Sequence, residues 1–447
     1  MSDEPSFPAD LFAGRRYGVL GLGRNGAAAA RRLAALGADV QAWDDKAPAR
    51  AALAADRAAS VRLAPFDDAD GLDALVLSPG IPHHLPAPHP LAASALAHGV
   101  PVLSDAELLF EAVRAAGRTT RFAGITGTNG KSTTTALLAH LLATAGIPCA
   151  AGGNLGPAAL ALPALPNDGV YVLEMSSYML ERLRTLRFDA ACLLNLSPDH
   201  LDRHGDLAGY GAAKLAIFAR QQVGDLAVLG RDDPWCRDQQ SGLGGGPATL
   251  VSVSGAGGLP PGVCAPALPG AHNAQNAAAA CAMARHFGAP EAAIARGLAS
   301  FAGLPHRQRL VGSVDGVAFV DDSKATNADA AARALGCYER LVWIAGGIAK
   351  AGGIESLAPL FGRIAEALLV GRDAALLADT LRRHGVAHRI AGDLDQAVPR
   401  ALDAARAHAA PVVLLSPACA SFDQYPGFEA RGAHFARLVD QLARRAG

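Results

Sequence analysis

Apolar runs alternate with helix-length stretches along the chain. The first runs are RRYGVLGLGRNG (15–26), ADVQAWDD (38–45) and LDALVLSPG, ending at Gly80, with a helical stretch reaching to about Leu36 between the first two. Strands that alternate with helices predict a parallel sheet with helical crossovers. A second block opens with RFAGIT (121–126), followed by a glycine-rich loop and a helix in which Leu137, Leu138, Leu141 and Leu142 share one face. GVYVLEM and DAACLLNLS are further strands, and the Gly- and Pro-rich stretch 241–263 reads as turns around a short strand. A third block starts near GLPHRQRL (303–310) and carries strand-like runs at GVAFVDD, RLVWIAGG, EALLVGR and PVVLLSP. The pattern predicts an α/β protein of three domains in series. Residues 1–112 form a Rossmann-like domain, 113–304 a central P-loop ATPase-type parallel-sheet domain, and 305–447 a second Rossmann-like domain.

Composition narrows the partners. Hydrophobic residues make up 51% of the 447 positions, enough for several large cores, and a net charge of −1 gives no basic face for nucleic acid. No run approaches the ~20 apolar residues of a spanning helix, so no membrane insertion is expected. The start, MSDEPSFPAD, lacks the basic and apolar parts of a signal peptide. The seven cysteines are scattered without a CxxC pair, as expected of reduced thiols in a cytoplasmic protein.

The candidate chemistry begins at GITGTNGKSTTT (124–135). The common nucleotide loop GxxxxGK[ST] would place a glycine at 125, where Ile125 stands; glycines fall at 124 and 127 instead. The physics survives the shift. Backbone N–H groups of Gly127, Thr128, Asn129, Gly130 and Thr133 around a helix N-terminus can cradle phosphates. Lys131 would reach the terminal phosphates and Ser132 would ligate Mg2+. An ordinary glycine-rich turn with a solvated lysine is the alternative, and the strand before and helix after count against it. Downstream, Glu174 ends an apolar run, at the strand edge where α/β sheets bind ligands; it suits Mg2+ or simply caps a turn. Asp199 and His200 end the next run, with His200 a metal ligand, a base for the incoming amine, a substrate aligner or a structural histidine. Lys214 lies on a mostly apolar helix, where snorkelling with its head in water is the plain reading. In the first block, Gly21, Gly23 and Gly26 complete a GxGxxG, with Asp44 and Asp45 about 20 residues on. Taken alone, that favours NAD or FAD, and so an oxidoreductase such as an NAD-dependent one, over another ligand or a purely structural turn.

The ordered set GITGTNGKST, GGNLG, VLEMSS, PDHLDRHG, AAKLAIF, GAHNAQN, GLPHRQ, DDSKATN and LLSPACASFDQY resembles the Mur ligase superfamily, the ATP-dependent amide-forming ligases of peptidoglycan precursor synthesis. It spans residues 17 to about 435 and is most similar to the branch that adds D-glutamate to UDP-N-acetylmuramoyl-L-alanine. The resemblance implies an acyl-phosphate intermediate and two Mg2+ ions. Ser132 and Glu174 would hold one ion, and His200 and a carbamylated Lys214 the other. It implies ATP contacts at Asn273, Asn276, Arg307 and Asp322. It gives the GxGxxG turn to the UDP-sugar, with Gly23, Arg24, Asn25, Gly26, Asp44, Asp45, Lys46, Ser78 and Asn154 around it. Lys324, Thr326, Lys350, Ser421 and Phe428 match amino-acid-binding positions. A cytoplasmic monomer whose third domain closes over bound substrates is expected. Met179 replaces a frequent glutamine, GGIAK replaces GGDGK, and Phe422 and Pro426-Gly427 are further departures. They touch the amino-acid end, so L-glutamate stays open beside D-glutamate. A folylpolyglutamate-synthase-like ligase, an oxidoreductase and a non-catalytic nucleotide-binding regulator are the other readings.

Overall fold

The computed structural model describes residues 5–56, 60–154, 156–259, 263–265, 267–350 and 352–446. The first four residues of the N-terminal reading, Leu155 of GGNLG, residues 260–262 of the Gly- and Pro-rich stretch and Ala351 of GGIAKAGG lie outside that range. The chain forms two compact units. One comprises residues 1–264 with 273–299, the other 265–272 with 300–447. All seven cysteines are free thiols. Among the described residues no helix is long and apolar enough to cross a membrane.

The first unit holds two parallel sheets. One has the order Val61–Leu63, Asp39–Trp43, Arg16–Leu20, Ala74–Leu77, Val102–Leu103. The chain leaves the central strand Arg16–Leu20 towards one side and returns on the other. The turns after Leu20 and Leu77 are therefore neighbours, the crevice where such sheets take ligands. The other sheet runs Thr249–Val253, Leu226–Gly230, Ala190–Leu193, Arg121–Thr126, Val170–Glu174, Cys149–Gly153. Arg121–Thr126 lies between Val170–Glu174 and Ala190–Leu193, so the segments following these three strands gather at one sheet edge.

The helix after the glycine-rich loop is Lys131–Thr144. Its four leucines are buried, as the spacing predicts, but so are Ser132, Thr134 and Thr135, and only Ala143 is exposed. The helix is enclosed rather than one-sided. Helix Glu291–Ser300 covers it so closely that a Cβ on Gly297 would meet Leu141 at 2.7 Å.

The second unit has one sheet, in the order Arg309–Val314, Val317–Asp321, Val412–Leu415, Leu341–Gly346, Ile364–Val370, His388–Gly392. Five strands are parallel and Arg309–Val314 is an antiparallel edge. Apolar clusters cover both faces, one around Trp343, Leu357 and Leu381, the other around Phe319, Val398 and Phe435. Buried Trp343 donates its indole N–H to Ser416 O at 2.8 Å, which satisfies its polar end.

Candidate active site: a phosphate loop and two strand ends

The phosphate loop connects strand Arg121–Thr126 to helix Lys131–Thr144. Gly130 caps the helix with φ +88°, and a Cβ there would lie 2.4 Å from Asn276 Oδ1, so both backbone and space require glycine. The loop is braced from the neighbouring strand end. Asn195 O accepts from Thr128 N at 3.0 Å, Asn195 Oδ1 accepts from Asn129 N at 2.9 Å, and Asn195 Nδ2 donates to Asn129 O at 3.0 Å. Thr128 Oγ1 donates to Ser197 O and accepts from Ser197 N. Lys131 Nζ folds back onto Gly127 O and Thr128 O at 2.9 and 2.8 Å. Ser132 is buried in the first helical turn and Thr133 is half-buried beside it. First-turn N–H groups lack intrahelical acceptors and carry the positive end of the helix dipole, which favours an anion at this point.

Glu174 is the last residue of its strand and is only 2% exposed. Its Oε1 accepts from Asn154 Nδ2 at 2.6 Å, while Oε2 is buried without a hydrogen-bond partner. A carboxylate oxygen left in that state needs a cation or a ligand donor. Lys214, on helix Leu207–Leu215, is 1% exposed. The snorkelling reading is therefore wrong: its head turns inwards, where Nζ donates to Gly127 O at 2.9 Å and to Thr126 Oγ1 at 3.4 Å. Nζ also lies 4.5 Å from the Tyr210 ring centroid. Burial pushes the amine well below its ordinary pKa, and the Lys131 charge adds to the shift.

His200 has φ +54° at the start of helix Leu201–His204. It is half-exposed, 3.6 Å from Asp199 Oδ2 and 5.2 Å from the Tyr178 ring. Burial lowers its pKa, opposed by Asp199 and reinforced by Lys214 and Lys131. Among the described residues no three His, Cys, Asp or Glu side chains converge as a ready metal cage.

The GxGxxG turn joins Arg16–Leu20 to helix Arg24–Ala35. A Cβ on Gly26 would fall 1.9 Å from Gly21 O, so the helix starts against the turn only with glycine there. Gly23 caps the helix. Ser78 Oγ donates to Gly21 O at 2.8 Å, tying in the loop from the neighbouring strand. Asp44 is committed locally, accepting from Leu22 N at 2.6 Å and Lys46 N at 2.8 Å, while Asp45 and Lys46 are exposed. Arg24 donates to Asn154 O at 2.7 Å, and Asn25 Nδ2 lies 3.4 Å from buried Asp105 Oδ2. Asn154 thus stands between this turn and Glu174.

Asn273 and Asn276 are buried on helix Ala271–His286, with Asn276 Nδ2 donating to Asn273 Oδ1 at 3.2 Å. In the second unit, Asp322 is buried. It accepts from Ser416 Oγ at 2.7 Å and Gln308 N at 3.2 Å, and burial raises its carboxyl to about 7. Half-buried Arg307 lies close enough to temper that shift. Lys324 Nζ sits 3.7 Å from the Phe428 ring centroid, and Thr326 N donates to Lys324 O at 2.9 Å. Ser421 is buried, whereas Lys350 and Phe422 are exposed. The sequence reading passed over three supports. Asn195 braces the phosphate loop, Arg182 grips the loop after Leu77, and Arg431 joins Ser323, Cys419 and Gly346 in the second unit. Each is a polar residue beside a quoted motif, which is the only local signal it gives.

A phosphate loop at the edge of a parallel sheet, with a buried carboxylate and lysine beside it, defines a nucleotide-dependent phosphoryl-transfer enzyme. The profile of the Mur ligase middle domain matches residues 125–258, and that of the Mur ligase glutamate ligase domain matches 306–419. The chain is 48% identical to the UDP-N-acetylmuramoylalanine--D-glutamate ligase of Paramagnetospirillum magneticum, covering 96% of this chain and 97% of that one. It is 45% identical to the protein of the same name from Caulobacter vibrioides, covering 98% of each. UDP-N-acetylmuramate-alanine ligase of Thermotoga maritima shares the fold at TM-score 0.57 and 17% identity, over 97% of this chain and 100% of that one. The MurF ligase of Thermotoga maritima, solved in complex with ADP, does so at 0.55 and 17%, over 84% and 90%. The chain belongs to the Mur ligase family of ATP-dependent amide-forming ligases, in its UDP-N-acetylmuramoylalanine--D-glutamate ligase branch.

Proposed function

We propose that this chain uses ATP to join D-glutamate to the carboxylate of UDP-N-acetylmuramoyl-L-alanine, a cytoplasmic step of peptidoglycan precursor synthesis carried out by a monomer. The observation that carries the reading is near-full-length identity to ligases of that name, in a chain whose central sheet edge bears the phosphate loop, Glu174, His200 and Lys214. Residues 1–112 take the UDP-sugar, 113–304 the ATP and 305–447 the amino acid.

A carboxylate is a poor acylating agent. In the proposed route its oxygen attacks the γ-phosphorus, forming an O–P bond as the bond to ADP breaks. The glutamate ammonium gives one proton to water and the free amine attacks the acyl carbon; the C–N bond forms, the C–O bond and a second N–H bond break, and inorganic phosphate and a proton leave. Lys131 and the loop N–H groups offset charge on the transferred phosphoryl group. Mg2+, when bound, neutralises phosphate charge. Its proposed ligands are Ser132 and Glu174 for one ion, and His200 and Lys214 for the second. The unpartnered Glu174 Oε2 supports the first assignment. Lys214 supports the second because burial favours its neutral amine, the form that adds CO2 to become an anionic carbamate.

Gly23, Arg24, Asn25, Gly26, Ser78 and Asn154 are assigned to the UDP-sugar, with Asp45 and Lys46 at its outer side. Asp44 acts as a brace of that turn. Asn273, Asn276, Arg307 and Asp322 are assigned to ATP. Lys324, Thr326, Lys350, Ser421 and Phe428 are assigned to glutamate, whose two carboxylates suit lysines and N–H donors. The oxidoreductase reading of GxGxxG gives way to the family membership. The test is product mass with ATP, Mg2+ and UDP-N-acetylmuramoyl-L-alanine, with D-glutamate, L-glutamate or no amino acid. A glutamyl product with D-glutamate alone is expected. Product with L-glutamate alone would overturn the amino-acid assignment, and no product would overturn the activity.

A further inference from the structure

Two arginines hold the loop that follows strand Ala74–Leu77. Arg182 is 3% exposed, and its guanidinium spans the loop. Nη1 donates to Leu77 O at 2.7 Å and Ser78 O at 3.4 Å; Nη2 donates to Ile81 O at 2.7 Å; Nε reaches His83 Nδ1 at 3.4 Å. Arg203 approaches the same loop, donating to Gly80 O at 3.1 Å and Ile81 O at 3.4 Å, with its cation 4.6 Å from the Tyr178 ring centroid. These arginines come from different segments of the central sheet edge. Arg182 follows the strand that ends in Glu174, and Arg203 lies in the short helix that begins after His200. The loop they grip reaches the GxGxxG turn through Ser78 Oγ and Gly21 O.

We infer that Arg182, seconded by Arg203, is a positioning residue that sets the Ser78–Ile81 loop, and with it the UDP end of the sugar substrate, in register with the segments bearing Glu174 and His200. The inference rests on the proposed ligase reading for the identity of that substrate. The physical case is geometric. The backbone carbonyls gripped by Arg182 fan around one turn, and only a planar fork can meet them together; a lysine offers one compact charge and reaches one or two. Burying a guanidinium costs desolvation, and its pKa is pushed down to about 10 by burial, with the Arg203 charge adding to the shift. The carbonyls offset that cost. A displacement of about 1 Å at a binding turn is enough to cost a reaction roughly 100-fold.

The test compares Arg182→Lys, Arg182→Met and Arg203→Lys with the wild-type chain. The readouts are KM for the UDP-substrate, KM for ATP, the thermal midpoint and calorimetric affinity for UDP alone. For Arg182→Lys we expect the UDP-substrate KM and the UDP Kd to rise about tenfold, the loss of one or two charged hydrogen bonds. The ATP KM should stay within about twofold. Arg203→Lys should shift the same two constants in the same direction by less. Unchanged UDP affinity in Arg182→Lys would overturn the inference. So would a uniform rise in both KM values with a fallen thermal midpoint, the mark of a purely structural arginine. Should Arg182→Met not fold, the two lysine variants decide. Because UDP binding is read directly, a wild-type chain that binds UDP but forms no glutamyl product would count against the ligase reading and leave the positioning role to stand or fall on the UDP Kd.

Discussion

The two ends of the proposed reaction are built differently. Around the phosphate loop Ser132, Glu174 and Lys214 all lie below 8% exposure, Asn195 bonds to the loop backbone at Asn129, and Thr128 Oγ1 ties the loop to the backbone of Ser197. Around the residues proposed for the amino acid in the second unit burial is lighter, with only Ser421 among the five buried. Lys350 and Phe422 stand exposed on loops, Lys324 and Thr326 are half-buried, and rigidity comes from beneath, where Arg431 ties Ser323 to Cys419 and Gly346. Charge-transfer chemistry gains from desolvation because each interaction strengthens when water is excluded. In the proposed reading a small, soluble amino acid needs access, which suits the more open placement of Lys324, Thr326 and Lys350 above the buried Arg431.

The largest losses are expected at Lys131 and Lys214. Lys131→Ala should cost roughly 100- to 1,000-fold in kcat through lost charge stabilisation. Lys214→Ala should lose a similar amount and regain part of it with added short-chain carboxylic acids, read as product formation over a series of acids. Failure of every acid would remove the carbamate from the account. Next comes Arg431→Ala, which leaves several buried carbonyls unpaired and opens a cavity. A loss of about 3 kcal/mol is expected in denaturant unfolding of the second unit, against little change from Arg431→Lys if charge rather than the fork matters. A small loss from Arg431→Ala would show that the amino-acid region is not held from below.

Acid should expose a third difference. Burial, with the Arg182 charge, lowers His83 to about 3, so the folded state holds it neutral while the unfolded state protonates near 6.5. The unfolded chain binds more protons between those values, so stability is full above about 6.5 and falls as the pH drops towards 3. The loss is on the order of 2 kcal/mol at pH 5 for a fully shifted histidine. Glu181 and buried Asp105, both raised, act in the opposite direction. His83→Leu should flatten the dependence between pH 7 and pH 5; an unchanged slope would contradict the assignment. The smallest effect belongs to Phe422. At 71% exposure, Phe422→Ala should change stability by less than about 0.5 kcal/mol, and a few-fold shift in glutamate KM with stability intact would sharpen the view of this loop as recognition surface.

Much of this was legible in the sequence, for a physical reason. Parallel strands covered on both faces read as continuous apolar runs, and RFAGIT, GVAFVDD and RLVWIAGG fall on strands accordingly. The short strand expected within 241–263 is the edge strand Thr249–Val253, but other edge strands escaped. VRL and HRIAG are short or polar because an edge carries less burial, and RLVGSV pairs antiparallel where parallel crossovers were the expectation. The phosphate loop and Glu174 were visible because strand ends are marked by the runs before them. Lys214 was visible only through the family resemblance of AAKLAIF, since a lysine on an apolar helix looks the same whether its head points to water or inwards. Arg182, Asn195 and Arg431 take their meaning from partners distant in sequence, which no local pattern encodes.

In the proposed reaction ATP activates the carboxylate of the UDP-substrate. The direct measurement is oxygen transfer: UDP-N-acetylmuramoyl-L-alanine carrying 18O in its free carboxylate, turned over with ATP, Mg2+ and D-glutamate, with the released phosphate read by 31P isotope shift. An acyl phosphate predicts one labelled oxygen in each phosphate released with product. Product accompanied by unlabelled phosphate would contradict it.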